Sequence, residues 1–121
     1  MKFKHMAAAI AFLGSNLVAG QAFAHAALEG SAPKAGEIVS GSPAEVRLQF
    51  NEELEATFST VKVSDPKGVE VSGIKVEVDK ANMKIMHATL PTLPAGAYSV
   101  RWSTMTRDGH KTKGTFTFTV K

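Results

Sequence analysis

Hydrophobic and polar residues alternate along most of the chain beyond residue 25. Val46, Leu48 and Phe50 share one side of a segment whose other side is polar, which is the two-residue period of a strand with one buried face. The same period predicts strands at 74–79, 98–104 and 115–120, and further strands are predicted around 60–64, around 85–90 and just after residue 25. No helical period runs long enough to compete, so the pattern predicts an all-β fold.

Proline and glycine interrupt these strands at regular intervals. Breaks lie at 31–36, 41–43, 65–68 and 91–96, and the sequence Asp-Pro-Lys-Gly at 65–68 is typical of a β-turn. About seven short strands between such turns predict a Greek-key β-sandwich, with a small barrel as the alternative. Tyr98 follows the last of these breaks, where a hydroxyl can bond back to the backbone as in the tyrosine corner of immunoglobulin-like sandwiches.

The first two dozen residues differ in character from the rest. Lys2 and Lys4 precede an uncharged apolar run at 6–20, and Ala22-Phe23-Ala24 is a small-x-small sequence. This is the pattern of a secretory signal peptide that is cleaved after Ala24. An uncleaved anchor is the alternative, but a spanning helix needs about 20 apolar residues and this run is interrupted at 14–16. We therefore expect residues 1–24 to be a signal peptide and residues 25–121 to form one domain.

Composition and charge narrow the possible functions. The 121 residues include 14 basic and 11 acidic side chains, a formal net charge of +3. Two of the basic residues belong to the predicted signal peptide, so 12 basic residues face 11 acidic ones in residues 25–121 and the net charge falls to +1. This near neutrality removes most of the support for a nucleic-acid partner. The absence of cysteine excludes disulfide scaffolds and thiol nucleophiles, and no later stretch is apolar enough for the mature chain to insert into a membrane.

Cleavage after Ala24 would make His25 the first residue of the mature chain. Its α-amine and its imidazole could then bind one metal ion through a small chelate ring. Two nitrogen donors from one residue suit Cu(II), which takes tetragonal nitrogen and oxygen ligation and lies at the top of the divalent affinity order. The alternative is that a histidine stands at this position by chance.

Asp108-Gly109-His110 is the second candidate for metal binding. Residues two apart in an extended chain point the same way, so a carboxylate and an imidazole at this spacing can converge on one ion. Asp-Gly is also a common hairpin turn, which is the alternative interpretation. The segment follows the strand that carries Trp102, so it should lie at one end of the sandwich, where the strand near His25 could also end.

Glu52 and His87 complete the set of candidate residues. Glu52 shares the parity of Phe50, so a strand that continued past Asn51 would point this carboxylate inward, where it needs a cation. If the strand instead ends at Asn51, the acidic run at 52–55 is solvated. His87 has no carboxylate or second histidine close to it in sequence, which favours a surface or cross-strand packing role.

Taken in order, these residues resemble the CopC family of periplasmic copper-binding proteins. The resemblance covers essentially the whole chain after residue 24, beginning with the N-terminal histidine, the proline-containing turn at 31–36 and the strand that ends Phe50-Asn51-Glu52. It continues through the sequence Leu-Pro-Ala-Gly-x-Tyr-x-Val-x-Trp at 93–102. Asp108-x-His110 then precedes a final strand rich in phenylalanine.

The resemblance implies a cupredoxin-like or immunoglobulin-like fold that binds Cu(II) in the bacterial periplasm. The implied ligands are the amine and imidazole of His25 with the side chains of Asp108 and His110. A nearby glutamate sometimes joins them in that family; here it is Glu52, which is expected next to a ligand rather than on the ion. Some family members carry a methionine-rich loop for Cu(I), whereas the matching stretch at 63–72 contains no methionine. We therefore expect one Cu(II) ion and no dedicated Cu(I) site.

The expected function is copper homeostasis or resistance without catalysis. The protein would buffer copper or deliver it to an inner-membrane partner such as a CopD-like transporter. Two other classes stay open from the sequence. A copper monooxygenase would use a similar N-terminal histidine brace. Against this class, the domain is short and has little surface on which to bind a polysaccharide. An Asp ligand would also occupy a coordination position that an oxygen-activating copper site leaves open. A metal-free immunoglobulin-like binding module would bind no copper tightly.

Overall fold

The computed structural model describes residues 26–121, which form eight β-strands in two sheets. The strands are β1 Leu28–Ala32, β2 Ile38–Val39, β3 Glu45–Phe50, β4 Thr60–Ser64, β5 Lys75–Val78, β6 Ile85–Thr89, β7 Gly96–Met105 and β8 Lys111–Val120. A short 3₁₀ turn at Ala56–Phe58 precedes β4. Within residues 26–121, no helix has the length and hydropathy that a membrane span requires. The predicted signal peptide and His25 lie outside the described residues.

The two sheets have four strands each and pack as the predicted sandwich. The strand order is β1-β3-β6-β5 in the first sheet and β2-β8-β7-β4 in the second. All neighbours are antiparallel except β2 and β8, which are parallel. Seven strands correspond to predicted ones, although β8 begins at Lys111 rather than at residue 115. β2 was not predicted because two residues are too few to show a period. The prediction of an all-β sandwich is confirmed.

The core is built from the apolar faces that the alternation predicts. Val46, Leu48 and Phe50 of β3 are fully buried, and the ring of Phe50 meets that of Trp102 edge to face, with centroids 5.1 Å apart. Trp102 is therefore a core residue. Its indole lies against the backbone of Gly114 on β8, where a Cβ atom would approach Cε2 of the ring to 2.7 Å and Nε1 to 3.0 Å. Glycine at this position thus makes room for the indole.

The predicted tyrosine corner is present at the start of β7. The Tyr98 hydroxyl donates a hydrogen bond of 2.7 Å to the carbonyl of Pro94, and the Tyr98 ring stacks on Phe118 with centroids 5.7 Å apart. Burial raises the pKa of Tyr98 above its ordinary value, with a smaller contribution from the charge of Asp65. The corner fixes how the connection at 91–96 enters the long hairpin of β7 and β8, whose tip carries Asp108 and His110.

Candidate metal centre

Three segments of the chain meet at one end of the sandwich. The N–H of Ala27 donates to Oδ1 of Asn51 at 2.7 Å, and the N–H of Asn51 donates back to the Ala27 carbonyl at 3.1 Å. The segment that follows Asn51 also contacts the C-terminal end of β7, because Leu54 forms an isolated β-bridge with Thr106. The start of the described chain, the loop after β3 and the β7–β8 loop are therefore held together at this end of the sandwich.

Thr106 organises the loop that carries the Asp-Gly-His sequence. Its backbone N–H donates to the His110 carbonyl at 2.9 Å, and its carbonyl accepts from the N–H of Gly109 at 2.9 Å. Gly109 has a φ of +93°, a left-handed conformation that favours glycine. The Thr106 hydroxyl, which is buried, donates to the carboxylate of Asp108 and accepts the N–H of His110 at 3.2 Å. One side chain thus orients both candidate ligands of the loop.

Asp108 and His110 lie side by side at the tip of the hairpin. Nδ1 of His110 is 3.1 Å from Oδ1 of Asp108, with both side chains well exposed to solvent at 44% and 61%. The hydroxyl of Thr106 is the main cause that lowers the pKa of Asp108 below its ordinary value, and His110 contributes less. The structure therefore presents an ionised carboxylate and an imidazole together in solvent, a nitrogen and oxygen donor pair of the kind that Cu(II) accepts.

The residue that follows His25 is fixed beside this loop. The Thr112 hydroxyl donates to the carbonyl of Ala26 at 3.0 Å, and Ala26 itself is buried in the core. Thr112 stands only two residues after His110 on β8. Together with the pairing of Ala27 and Asn51, this contact clamps the chain just after residue 25 next to the candidate ligand pair.

Glu52 lies in the loop after β3 rather than on an extended strand. The strand ends at Phe50 and Glu52 stands half-buried in the bend that follows. Among residues 26–121, no three His, Asp or Glu side chains come close enough together to hold one ion. The neighbouring Glu53 instead ties the two loops together through an ion pair with Arg107, with Oε1 and Nη1 3.5 Å apart. The described donors of the site are thus Asp108 and His110.

His87 occupies a different surface, the outer side of the first sheet. Its Nδ1 lies 3.4 Å from Oε2 of Glu45, and its Nε2 lies 3.3 Å from Oδ2 of Asp79. The pKa of Asp79 is lowered first by the N–H of Ala81 and then by His87. The predicted cross-strand role of His87 is confirmed, although its two carboxylate partners come from residues distant in sequence.

Three residues of the site were not identified from the sequence. The spacing Thr-x-Asp was a usable signal for Thr106, because threonine hydroxyls often bond polar groups two residues on. Asn51 and Thr112 act across 24 and 86 residues of chain respectively. No local pattern in the sequence reveals contacts of that range.

Comparison with known proteins gives a consistent family relationship. The family model described as the CopC domain matches residues 28–121. Protein YobA of Escherichia coli K12 is 35% identical over 114 residues, which cover 93% of this chain and 92% of that protein. The copper transport protein CutJ of Bacillus subtilis is 34% identical over 99 residues, which cover 81% of this chain and 18% of CutJ.

A solved structure extends the relationship to the fold. The crystal structure of PcoC, a methionine-rich copper resistance protein from Escherichia coli, superimposes with a TM-score of 0.71 at 36% identity. The match covers 81% of this chain and 100% of that one. The family model, which matches residues 28–121, spans all eight strands of the two sheets.

Proposed function

Because the chain belongs to the CopC family, we propose that its mature form binds one Cu(II) ion in the periplasm and buffers copper or delivers it to an inner-membrane partner. The family consists of copper resistance and copper transport proteins rather than enzymes, in agreement with the expectation that the chain catalyses no reaction. The proposal adds the ligands, the oxidation state, the single ion, the compartment and the membrane partner to this family-level function.

The proposed ligands are the α-amine and imidazole of His25 with the side chains of Asp108 and His110. The observation that carries this assignment is the clamp on the chain just after residue 25, in which Thr112 holds Ala26 and Asn51 holds Ala27. A residue attached to Ala26 is within a short reach of the β7–β8 loop, where Asp108 and His110 already lie together. Three nitrogens and a carboxylate oxygen form a donor set that favours Cu(II).

The amine of His25 exists as a ligand only if the chain is cut after Ala24. In an uncleaved chain this nitrogen belongs to a peptide bond, and its lone pair is delocalised into the carbonyl group, so the neutral amide is a much poorer ligand than an amine. We therefore propose that residues 1–24 are a signal peptide, that residues 25–121 are the functional copper-binding domain, and that export and formation of the copper site are one event.

Glu52 is proposed to act beside the ligands rather than on the ion. It directly follows Asn51, the residue that pairs with Ala27, so it lies in the segment that packs against the start of the chain. A contact with a ligand of the ion is the role that this position supports.

We propose no dedicated Cu(I) site. PcoC is a methionine-rich protein, whereas the stretch at 63–72 of this chain contains no methionine. Met86 is fully buried in the core, as expected for a residue that fills space. The sulfur of Met83 lies 3.9 Å from Nη1 of Arg107. A single thioether next to a positively charged guanidinium does not favour the binding of Cu(I).

A membrane-bound copper transporter of the CopD type is the proposed recipient. The support comes from CutJ, a copper transport protein of which this chain matches 18%. A domain like this one therefore occurs within a much longer protein that is named for copper transport. In the present case the copper-binding domain would be a separate chain, and it would pass copper to a membrane transporter by docking with it.

Copper titration of the processed chain tests the ligand assignment. We expect electron paramagnetic resonance to show a tetragonal, nitrogen-rich Cu(II) signal that saturates at one equivalent. His110→Ala should abolish this signal, and one extra residue in front of His25 should weaken binding because it converts the amine into an amide. His87→Ala is the matched control, since this histidine lies on the outer side of the first sheet, and it should bind copper like the wild type. Undiminished affinity in the extended chain would overturn the role of the His25 amine.

A further inference from the structure

The outer side of the second sheet carries four cations and no carboxylate. The cations are Lys62 on β4, Arg101 on β7 and Lys111 and Lys113 on β8, at positions that alternate with inward-facing residues. No Asp or Glu occurs on any strand of this sheet. Within residues 26–121, none of the four cations forms an ion pair. We refer to these four residues as the basic face.

The strand register places like charges next to each other on the basic face. Lys62 of β4 stands directly opposite Arg101 of β7. Like charges in directly opposed positions destabilise a sheet, because the side chains are held a few ångströms apart. The arrangement is therefore unfavourable for the protein alone, and an anion bound between the two cations would relieve the repulsion.

A groove of about 580 Å³ opens among these side chains. Its lining combines three cations with three hydroxyl groups, contributed by Lys62, Arg101, Lys113, Thr60, Ser103 and Thr115. Guanidinium and ammonium groups form charge-assisted hydrogen bonds to phosphate oxygens, and hydroxyls donate further bonds to the same oxygens. The chemistry of the groove therefore matches a phosphate group.

We propose that the basic face docks the protein on an anionic phospholipid surface, with lipid phosphates in the groove. Two residues outside the groove could contact a membrane but not a phosphate bound in the groove, and they favour a membrane over a free anion. Lys111 lies outside the groove on the same face, and Phe58, two residues before Thr60, keeps 58% of its surface exposed. Cations combined with an exposed aromatic residue are typical of peripheral binding at the membrane interface.

The position of the basic face gives this docking a consequence for the candidate metal centre. Lys111 pairs with Met105 at the last register position before the loop at 106–110. The cations therefore begin where the loop with Asp108 and His110 ends. Docking would hold this loop close to the membrane surface, although the binding of lipid itself does not depend on copper.

Cosedimentation with vesicles at low salt tests the proposal on the chain that begins at His25. We expect binding to vesicles of equal parts phosphatidylglycerol and phosphatidylcholine, and no binding to phosphatidylcholine alone. The variant with Lys62→Gln and Arg101→Gln should bind at least about tenfold more weakly, because each cation near an anionic surface contributes a factor of about five. The control with Arg47→Gln and Lys75→Gln loses the same net charge from the outer side of the first sheet and should retain most of the binding.

Thermal unfolding separates this effect from a folding defect. Removal of Lys62 or Arg101 takes away a like-charge pair, so the melting temperature should stay equal or rise. Equal loss of vesicle binding in the two double variants, or no binding by the wild type, would overturn the proposal. Capture by polyglutamate without vesicle binding would assign the face to an acidic protein, and saturable binding of inorganic phosphate without vesicle binding would assign it to a free anion. His110→Ala should leave vesicle binding unchanged, so this proposal and the copper proposal fail independently.

Discussion

Replacing Thr112 with valine tests whether the clamp on Ala26 matters for copper binding. The Thr112 hydroxyl has one proton, which it donates to the Ala26 carbonyl at 3.0 Å. The hydroxyls of Thr112 and Thr104 are 3.1 Å apart, and because the proton of Thr112 is already used, Thr104 must donate this second hydrogen bond. Valine keeps the shape of threonine but removes both hydrogen bonds. The hydroxyl of Thr104, a residue only 1% exposed, would then lose this acceptor.

The two lost bonds should have separable effects. An unpaired hydroxyl in the core costs about 1–3 kcal/mol, which corresponds to a fall in melting temperature of about 5–20 °C for a domain of this size. The lost bond to Ala26 is worth about 0.5–1.5 kcal/mol, and copper binding should weaken about two- to tenfold if that bond positions residue 25. A second change, Thr104→Val, removes the unpaired hydroxyl, so the double variant should regain stability but not copper affinity.

Two measurements on the processed chain distinguish these effects. Denaturant unfolding can be followed through Trp102, since the chain has a single tryptophan, and Cu(II) affinity through competition with a chelator. Thr117→Val, on the exposed side of β8, is the control and should leave copper affinity unchanged. If Thr112→Val loses stability but binds copper like the wild type, the clamp does not position the ligand. If the double variant regains affinity, then stability rather than position controls binding.

Thr106→Val should lower Cu(II) affinity because it removes the hydroxyl that orients Asp108, and Thr106→Ser should restore it in the same titration. Gly114→Ala should lower the melting temperature by about 5–20 °C, since overpacking against Trp102 costs about 1–3 kcal/mol; an unchanged melt with unshifted tryptophan emission would contradict the contact. Burial raises the pKa of Tyr98, so the folded state disfavours the phenolate. The protonated Tyr98 therefore contributes to the free energy of unfolding. This contribution is fully present below the pKa of tyrosine in the unfolded chain, about 10, and is lost as the pH rises through the higher pKa in the folded protein. Alkaline unfolding titrations should therefore show a steeper loss for the wild type than for Tyr98→Phe.

The strands were predictable because one face of each packs on the core. Burial on one side imposes the two-residue period, and β3 and β7 show it without interruption. The point where a strand ends carries no such signal. Parity with Phe50 allowed an inward-facing Glu52, but the hydrogen bonds between Asn51 and Ala27 turn the chain there. Those bonds depend on a partner 24 residues away, which alternation within β3 does not reveal.

The candidate metal site divides in the same way between local and long-range contacts. Asp108 and His110 are two residues apart, and the tight turn at Gly109 is enough to bring them together. Thr112 reaches Ala26 only because β8 passes beside the start of the chain in the folded sandwich. The sequence could therefore indicate which residues have the chemistry of copper ligands. It could not indicate which residues hold those ligands in place.

The basic face shows why net charge is a poor guide to local electrostatics in this fold. Residues 25–121 carry 12 basic and 11 acidic side chains, a balance that removed most of the support for a nucleic-acid partner. The net charge does not show where the charges lie. Because β4 and β8 both pair with β7, Lys62, Arg101 and Lys113 lie around one groove. The acidic residues lie on other elements, such as Glu45 on β3 and Glu77 on β5 of the opposite sheet. At physiological ionic strength charges are screened beyond about 8 Å, so a ligand at the groove experiences mainly the nearby cations. Topology rather than composition therefore determines whether this nearly neutral domain attracts an anionic surface.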